Sequence, residues 1–285
     1  MASQYSTILT SDSSTTVNQY DVIKYSDYES LKTKYETALS NYNTLYNKVY
    51  SVPSQFYNLR VEGGGIIFFD WKYGFTGATT TGENGCSVAA DTTSDLGDYY
   101  YDEITGTVHC SRVGAKHRFY VVAESGFIDP TVFWDAKAPS TVRATSTEFG
   151  TGKANTTLLC NAITNDMWPL VKAARATNPG GHDLVSDDSA LDTRWFVLSK
   201  DEMYVLVAMQ YSDSNYRPSG IPRLSINYSA GTLGPFCWSS SQYTGIATTW
   251  DGNTGAWDGS AYDGRIFGTN KDLEGLVHAR LCRTF

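Results

Sequence analysis

Tyr28, Leu31, Tyr35, Ala38, Tyr42, Leu45, Val49 and Val52 are spaced alternately three and four residues apart. That is the a/d seam of a heptad repeat, held through four heptads, and it demands a continuous helix with one apolar stripe. Pro53 follows the last d position and stops the helix. At about 1.5 Å per residue, residues 22–52 would span about 45 Å. Leu39 and Tyr46 fall at e positions and widen the stripe beyond a two-stranded seam. Bulky Tyr at three a positions fits a wider bundle better than a dimer. The expectation is a coiled-coil stalk over residues 21–53 that assembles as a parallel homotrimer. The alternative is one long amphipathic helix packed on its own domain.

The flanking sequence differs in texture. Residues 1–20 are Ser/Thr-rich with few apolar anchors, which suits an extended docking arm that a neighbouring protein orders. They carry neither a basic n-region nor an apolar h-region, so no signal peptide is expected. The expected address is a host cytoplasm, followed by release inside an assembly. With 22 Lys+Arg against 30 Asp+Glu, the formal net charge is −8. That balance argues against nucleic acid as partner, and against an anionic membrane surface. No run of 18 apolar residues offers a span. The five cysteines, at 86, 110, 160, 237 and 282, are odd in number and have no CxxC. They read as buried reduced thiols, with a Cys237–Cys282 pair as the open alternative.

After Pro53 the chain breaks into short β-type runs punctuated by glycine. Residues 61–69 read as a glycine bend feeding a buried strand, and 106–109 and 118–124 as further strands. Residues 74–98, polar and Gly/Thr-rich, read as a long loop or insertion. Asn155 is the expected N-cap of a helical stretch to Ala176, split at Pro169. WFVLS (195–199) reads as a short buried strand or turn. Ser199 and Glu202 form a capping box for a helix from Lys200 to Gln210. TTWDGNTGAWDGSAYDGR (248–265) reads as tight glycine turns carrying aromatics, and the last ten residues as a closing strand.

Several motif readings are excluded by spacing. GTGKANT (150–156) lacks both the four-residue interval and the Ser/Thr of a phosphate loop. His109, His117, His182 and His278 have no metal-ligand spacing, and Asp183, Asp187 and Asp188 lack the alternation of a calcium loop. No metal and no cofactor are expected. No Gly-x-Ser-x-Gly elbow appears, and no enzyme is expected.

GGGIIFF, GTGKANT, WFVLSKDEM (195–203), CWSSSQY (237–243) and the terminal HARLCRTF occur in that order. Together they resemble a C-type-lectin-like fold. They are similar to the C-terminal domain family of the Lcl collagen-like adhesin and to the variable proteins of diversity-generating retroelements. The resemblance covers residues 61–285 and implies an α+β class: an N-terminal coiled-coil helix followed by a C-type-lectin-like head. It implies that the first and last strands of the head pair, and that two helices pack on a small antiparallel sheet. Trp195 and Trp238 would be core or sheet-face residues, and Gly150, Gly152 and Asn155 would shape a turn. Trp250-Asp251-Gly252-Asn253 is only a reordered echo of a calcium-dependent sugar site.

Tyr243, Trp250, Asp251, Asn253, Trp257, Asp258, Tyr262 and Arg265 are the candidate ligand-binding residues. Rigid aromatics among small polar residues make a binding surface, and aromatic faces can stack on sugars. Arm, stalk and head in that order fit a phage virion fibre, in head or tail. Residues 1–20 would dock on a capsid or tail protein, and the head would bind a host-surface or environmental glycan or protein. The alternatives are a bacterial lectin-like adhesin or retroelement-diversified binding protein, and a decoration protein whose head binds nothing.

Overall fold

The computed structural model describes residues 25–51, 54–76, 86–124, 145–161, 191–210, 220–224, 236–243, 255–260, 266–270 and 280–285. The chain divides into two compact units, Met1–Val49 and Tyr50–Phe285.

The first unit holds helix α1, Tyr25–Val49, of 25 residues and about 37 Å. Asp27 lies in its first turn, where a carboxylate meets the positive end of the helix dipole. The hydroxyls of Thr33, Thr37 and Thr44 donate to the carbonyls four residues back at 2.8–2.9 Å, so they add no demand for partners. The helix ends three residues before the expected Val52. Tyr50–Ser51 instead form strand β1, which pairs antiparallel with residues 101–102. Ladder hydrogen bonds there replace a final helical turn; Val52 and Pro53 lie outside the described residues.

The second unit mixes helices and strands. Its strands in chain order are β1, β2 (Arg60–Val61), β3 (Ile66–Asp70), β4 (Phe75–Thr76), β5 (Ser87–Val88), β6 (Asp98–Asp102) and β7 (Thr107–Arg112). There follow β8 (Phe119–Val122), β9 (Phe196–Val197), β10 (Phe236–Tyr243), β11 (Gly255–Ser260), β12 (Ile266–Asn270) and β13 (Leu281–Thr284). Helices α2 (Gly152–Asn161) and α3 (Lys200–Gln210) complete the described elements. One sheet has the order β1-β6-β7-β2-β3-β8-β13-β9, a second is β10-β11-β12, and β4–β5 is a two-stranded ribbon. The pairings are antiparallel apart from β2–β7.

Strands β3, β8, β13 and β9 of the large sheet are buried on both faces, which is why IIFF and FYVV read as continuous apolar runs rather than as alternation. Phe68, Tyr120, Val122, Phe196 and Cys282 face one core, with Met203, Leu206 and Val207 of α3. Ile67, Phe119 and Val121 face the other, with Phe56, Tyr99, Val108 and Phe285. A register shift between Ile67 and Phe69 places adjacent Phe68 and Phe69 in the same core. The turn before β3 uses Gly63, Gly64 and Gly65 at φ 75°, 91° and 105°, a left-handed run that side chains resist.

Several expectations change. Phe56 and Tyr57 are buried in the two cores, so the head begins upstream of Val61. The stretch 74–98 is not one loop: β4 pairs β5, Phe75 and Cys86 are buried, and Asp98 opens β6. The terminal strand β13 pairs with β8 and β9, not with the first strands of the head. It reaches the glycine turn by a side chain instead: the Arg283 guanidinium donates to the carbonyls of Glu62 at 2.6 Å and Gly64 at 2.8 Å. The glycine-rich 255–260 forms β11, paired on both sides. Helix α2 starts at Gly152, so Asn155 is a residue of its first turn rather than an N-cap.

Candidate functional site

Strand β10 carries the serines of CWSSSQY. Trp238 partners Asp258 and Gln242 partners Ala256, so Ser239, Ser240 and Ser241 together oppose Trp257 alone. This is a bulge, and it releases three residues from the ladder. Ser239 Oγ stays within the bulge, donating to the Ser241 carbonyl at 3.4 Å and accepting the Ser241 N–H at 3.2 Å, while the polar groups of Ser240 and Ser241 turn to the body of the head. The Ser240 N–H and Oγ both donate to the Leu198 carbonyl, at 2.7 and 3.0 Å. Ser241 Oγ donates to the Ser146 carbonyl at 2.6 Å and accepts the Lys200 N–H at 2.9 Å. The Gln242 N–H donates to Thr145 Oγ1 at 2.8 Å. Asn155 closes the joint: its Oδ1 accepts the Ser146 N–H and its Nδ2 donates to the Ser146 carbonyl, both at 2.8 Å.

Beneath this joint sits Glu202, wholly buried. It forms the capping box with Ser199: the Ser199 N–H donates to Oε2 at 2.7 Å, and Ser199 Oγ accepts the Glu202 N–H at 3.3 Å. Its Oε1 also accepts the N–H groups of Gly150 and Gly152, at 3.1 and 3.3 Å, at the start of α2. One carboxylate therefore serves the N-termini of two helices. Burial pushes its carboxyl up to about 7 against these three donors. The capping box is legible in the sequence; the reach to Gly150 and Gly152 is not, and their Gly-x-Gly spacing was its only local signal.

The candidate ligand-binding residues meet this platform as follows. Tyr243 ends β10 opposite Gly255. Trp257 and Asp258 lie on β11, the central strand, with Gly268 and Phe267 as their partners on β12. For these three the backbone alone is described. Trp250, Asp251, Asn253, Tyr262 and Arg265 lie outside the described residues, as do Asp183, Asp187, Asp188, His182 and His278. The structure thus brings Tyr243, Trp257 and Asp258 onto one antiparallel sheet, whose first strand is fixed to α3 and to residues 145–146.

The stripe on α1 is the second candidate surface. Tyr28, Leu31, Tyr35, Ala38, Leu39, Tyr42, Leu45 and Tyr46 are all exposed, Tyr35 to 67% and Tyr42 to 61%. Tyr42 and Tyr46 stack one turn apart with ring centroids 6.0 Å apart. A lone helix with so much apolar surface in water has little to hold it together. Val49 closes the helix with its backbone described.

Elsewhere the candidate histidines and the lysine of GTGKANT are committed to structure. His109 Nδ1 meets the Glu62 carboxylate at 2.9 Å and Nε2 meets Thr107 Oγ1 at 2.8 Å. His117 Nε2 meets the Leu191 carbonyl at 3.1 Å, and burial lowers its proton affinity. Lys153, the lysine of GTGKANT, is buried and donates to the Asp192 carbonyl and Thr284 Oγ1 at 2.7 and 2.8 Å. Cys86, Cys110, Cys160 and Cys282 are free, so Cys282 makes no disulfide with Cys237. Burial pushes the Cys282 thiol well above its ordinary value. Sequence reasoning missed the buried bidentate pair of Asp70 with Arg118, at 2.8 and 2.7 Å. Its partners lie 48 residues apart.

Among the described residues no group of three or more His, Cys, Asp or Glu is placed to hold a metal ion, and no helix is long and apolar enough to cross a membrane. Comparison with protein-family models, with curated proteins and with solved structures finds no match.

Proposed function

We propose that the chain is a phage virion fibre protein with a receptor-binding head. Residues 1–20 dock on a capsid or tail protein, three copies associate through α1 as a coiled-coil stalk, and the lectin-like heads bind a host-surface or environmental glycan or protein. The observation that carries the reading is the exposed apolar stripe of α1 from Tyr28 to Tyr46, in a unit separate from the head. Such a stripe supports burial against further copies of the same helix. Three heads on one stalk would bind a repetitive surface by avidity, with each contact weak.

The head supports the reading through its build. A binding surface works best when rigid elements hold it. Here β10 is tied by its serines to Leu198, Lys200 and Ser146 and by Gln242 to Thr145, and it carries the sheet with Tyr243, Trp257 and Asp258. The test is a glycan array and a host-cell binding assay with the full chain, beside the chain with Trp250, Trp257 and Tyr262 replaced by alanine. Binding by the first and loss in the second, at unchanged thermal stability, supports the proposal. Equal signals from both chains overturn the assignment of the ligand surface.

A further inference from the structure

We infer that Asp27 of one copy pairs with Lys32 of the next, and that this pair sets α1 in parallel, unstaggered register. The inference rests on the self-association proposed above. Asp27, Lys32 and Lys34 are all exposed. With Tyr28, Tyr35 and Tyr42 at a, the flanking g positions are Asp27, Lys34 and Asn41, and the e positions are Lys32, Leu39 and Tyr46. In a parallel, unstaggered bundle the g residue of one helix lies beside the e residue five positions further on in its neighbour.

That rule juxtaposes Asp27 with Lys32, Lys34 with Leu39, and Asn41 with Tyr46. Each contact is of a compatible kind. Opposite charges meet first. The aliphatic stem of Lys34 then covers Leu39 while its ammonium stays in water. Last, a neutral amide lies beside a phenol. Within one helix Asp27 and Lys32 cannot meet, because five residues turn the helix by about 140° beyond a full turn. Three copies in closed cyclic symmetry must also be parallel. The competing antiparallel arrangement sets g against g and brings Asp27 beside the g position Lys48 instead.

The test uses the full chain and reads the concentration at which half the chains are assembled. Asp27→Lys and Lys32→Asp each place like charges at every interface and raise that concentration about 5-fold or more at low salt. The double exchange returns it to within about 2-fold of the parent. The defects of the single variants shrink at 0.5 M NaCl, as screening requires. A Leu31→Cys chain, oxidised in air beside the parent chain, gives a disulfide-linked pair, because the d residues of parallel copies meet. If the full chain is a monomer, the fibre proposal falls and this inference with it. If the chain assembles but Asp27→Lys is rescued by Lys48→Asp rather than by Lys32→Asp, the inference alone is overturned.

Discussion

The Glu202 carboxylate accepts the N–H of Gly152 at 3.3 Å, and a Cβ on Gly152 would run into that same carboxylate. It would also come within 2.9 Å of the Ser199 nitrogen and the Val197 carbonyl oxygen. The starts of α2 and α3 are thus closed on one buried group, and the glycine is required by space. Gly152→Ala should cost about 2–4 kcal/mol through overpacking and a displaced cap. Urea denaturation of the head reads this. A variant as stable as the parent would mean that the two helix starts are not locked together.

Glu202 also predicts a pH dependence. Burial raises its folded value from the ordinary 4.5 to about 7, so the folded chain holds this proton more tightly than the unfolded chain. Stability from this group therefore increases as pH falls from about 7 to about 4.5. Asp95, Asp102 and Asp192 act in the opposite sense, because hydrogen bonds hold their carboxyls below the ordinary value. Their contribution is lost as pH falls below about 4. From these carboxyls, denaturation midpoints should rise as pH falls from 7 to about 4.5 and drop below about 4, with His117, whose proton affinity burial lowers, opposing the rise below about 6.5. Glu202→Gln should flatten the slope between pH 5 and 7; a slope unchanged in that variant would assign it to another group.

Asp70 and Arg118 are a buried pair of a different kind. The guanidinium lies against the rings of Phe56 and Phe119, 4.9 and 4.8 Å from their centroids, with Asp70 as its carboxylate. Asp70→Asn leaves that cation buried without its counter-charge and should cost about 3–5 kcal/mol. Thermal unfolding checks this. A loss under 1 kcal/mol would mean that water reaches Arg118.

On the proposed function, the β10 bulge ties stability to binding. Ser241→Ala removes one hydroxyl that serves both the Lys200 N–H and the Ser146 carbonyl. It should cost about 1–3 kcal/mol and weaken ligand capture by the head below its unfolding temperature. Loss of stability with undiminished capture would separate the bulge from the binding surface.

Legibility in the sequence followed the range of the interactions. The heptads and the Ser199–Glu202 box are local patterns, and both elements lie close to where their residues put them. The runs IIFF and FYVV were readable because a sheet buried on both faces leaves an unbroken apolar signature. Asn155 was misread because its amide, typical of a cap, goes to Ser146 nine residues back. Strand β11, GAWDGS, has weak strand preference of its own, and pairing with neighbours on both sides decides it. Tyr50–Ser51 pair with the edge of β6 instead of extending the helix, and their partners Asp102 and Tyr101 lie 52 and 50 residues away, where no heptad count reaches.

The central claim is that α1 holds three copies together. Light scattering on the full chain and on a chain starting at Tyr50 addresses it most directly. The second chain keeps β1, Phe56 and Tyr57, which the head needs. The account predicts three times the chain mass for the first and a folded monomer for the second. A monomer in both would leave the stripe on α1 without its partner and would contradict the fibre.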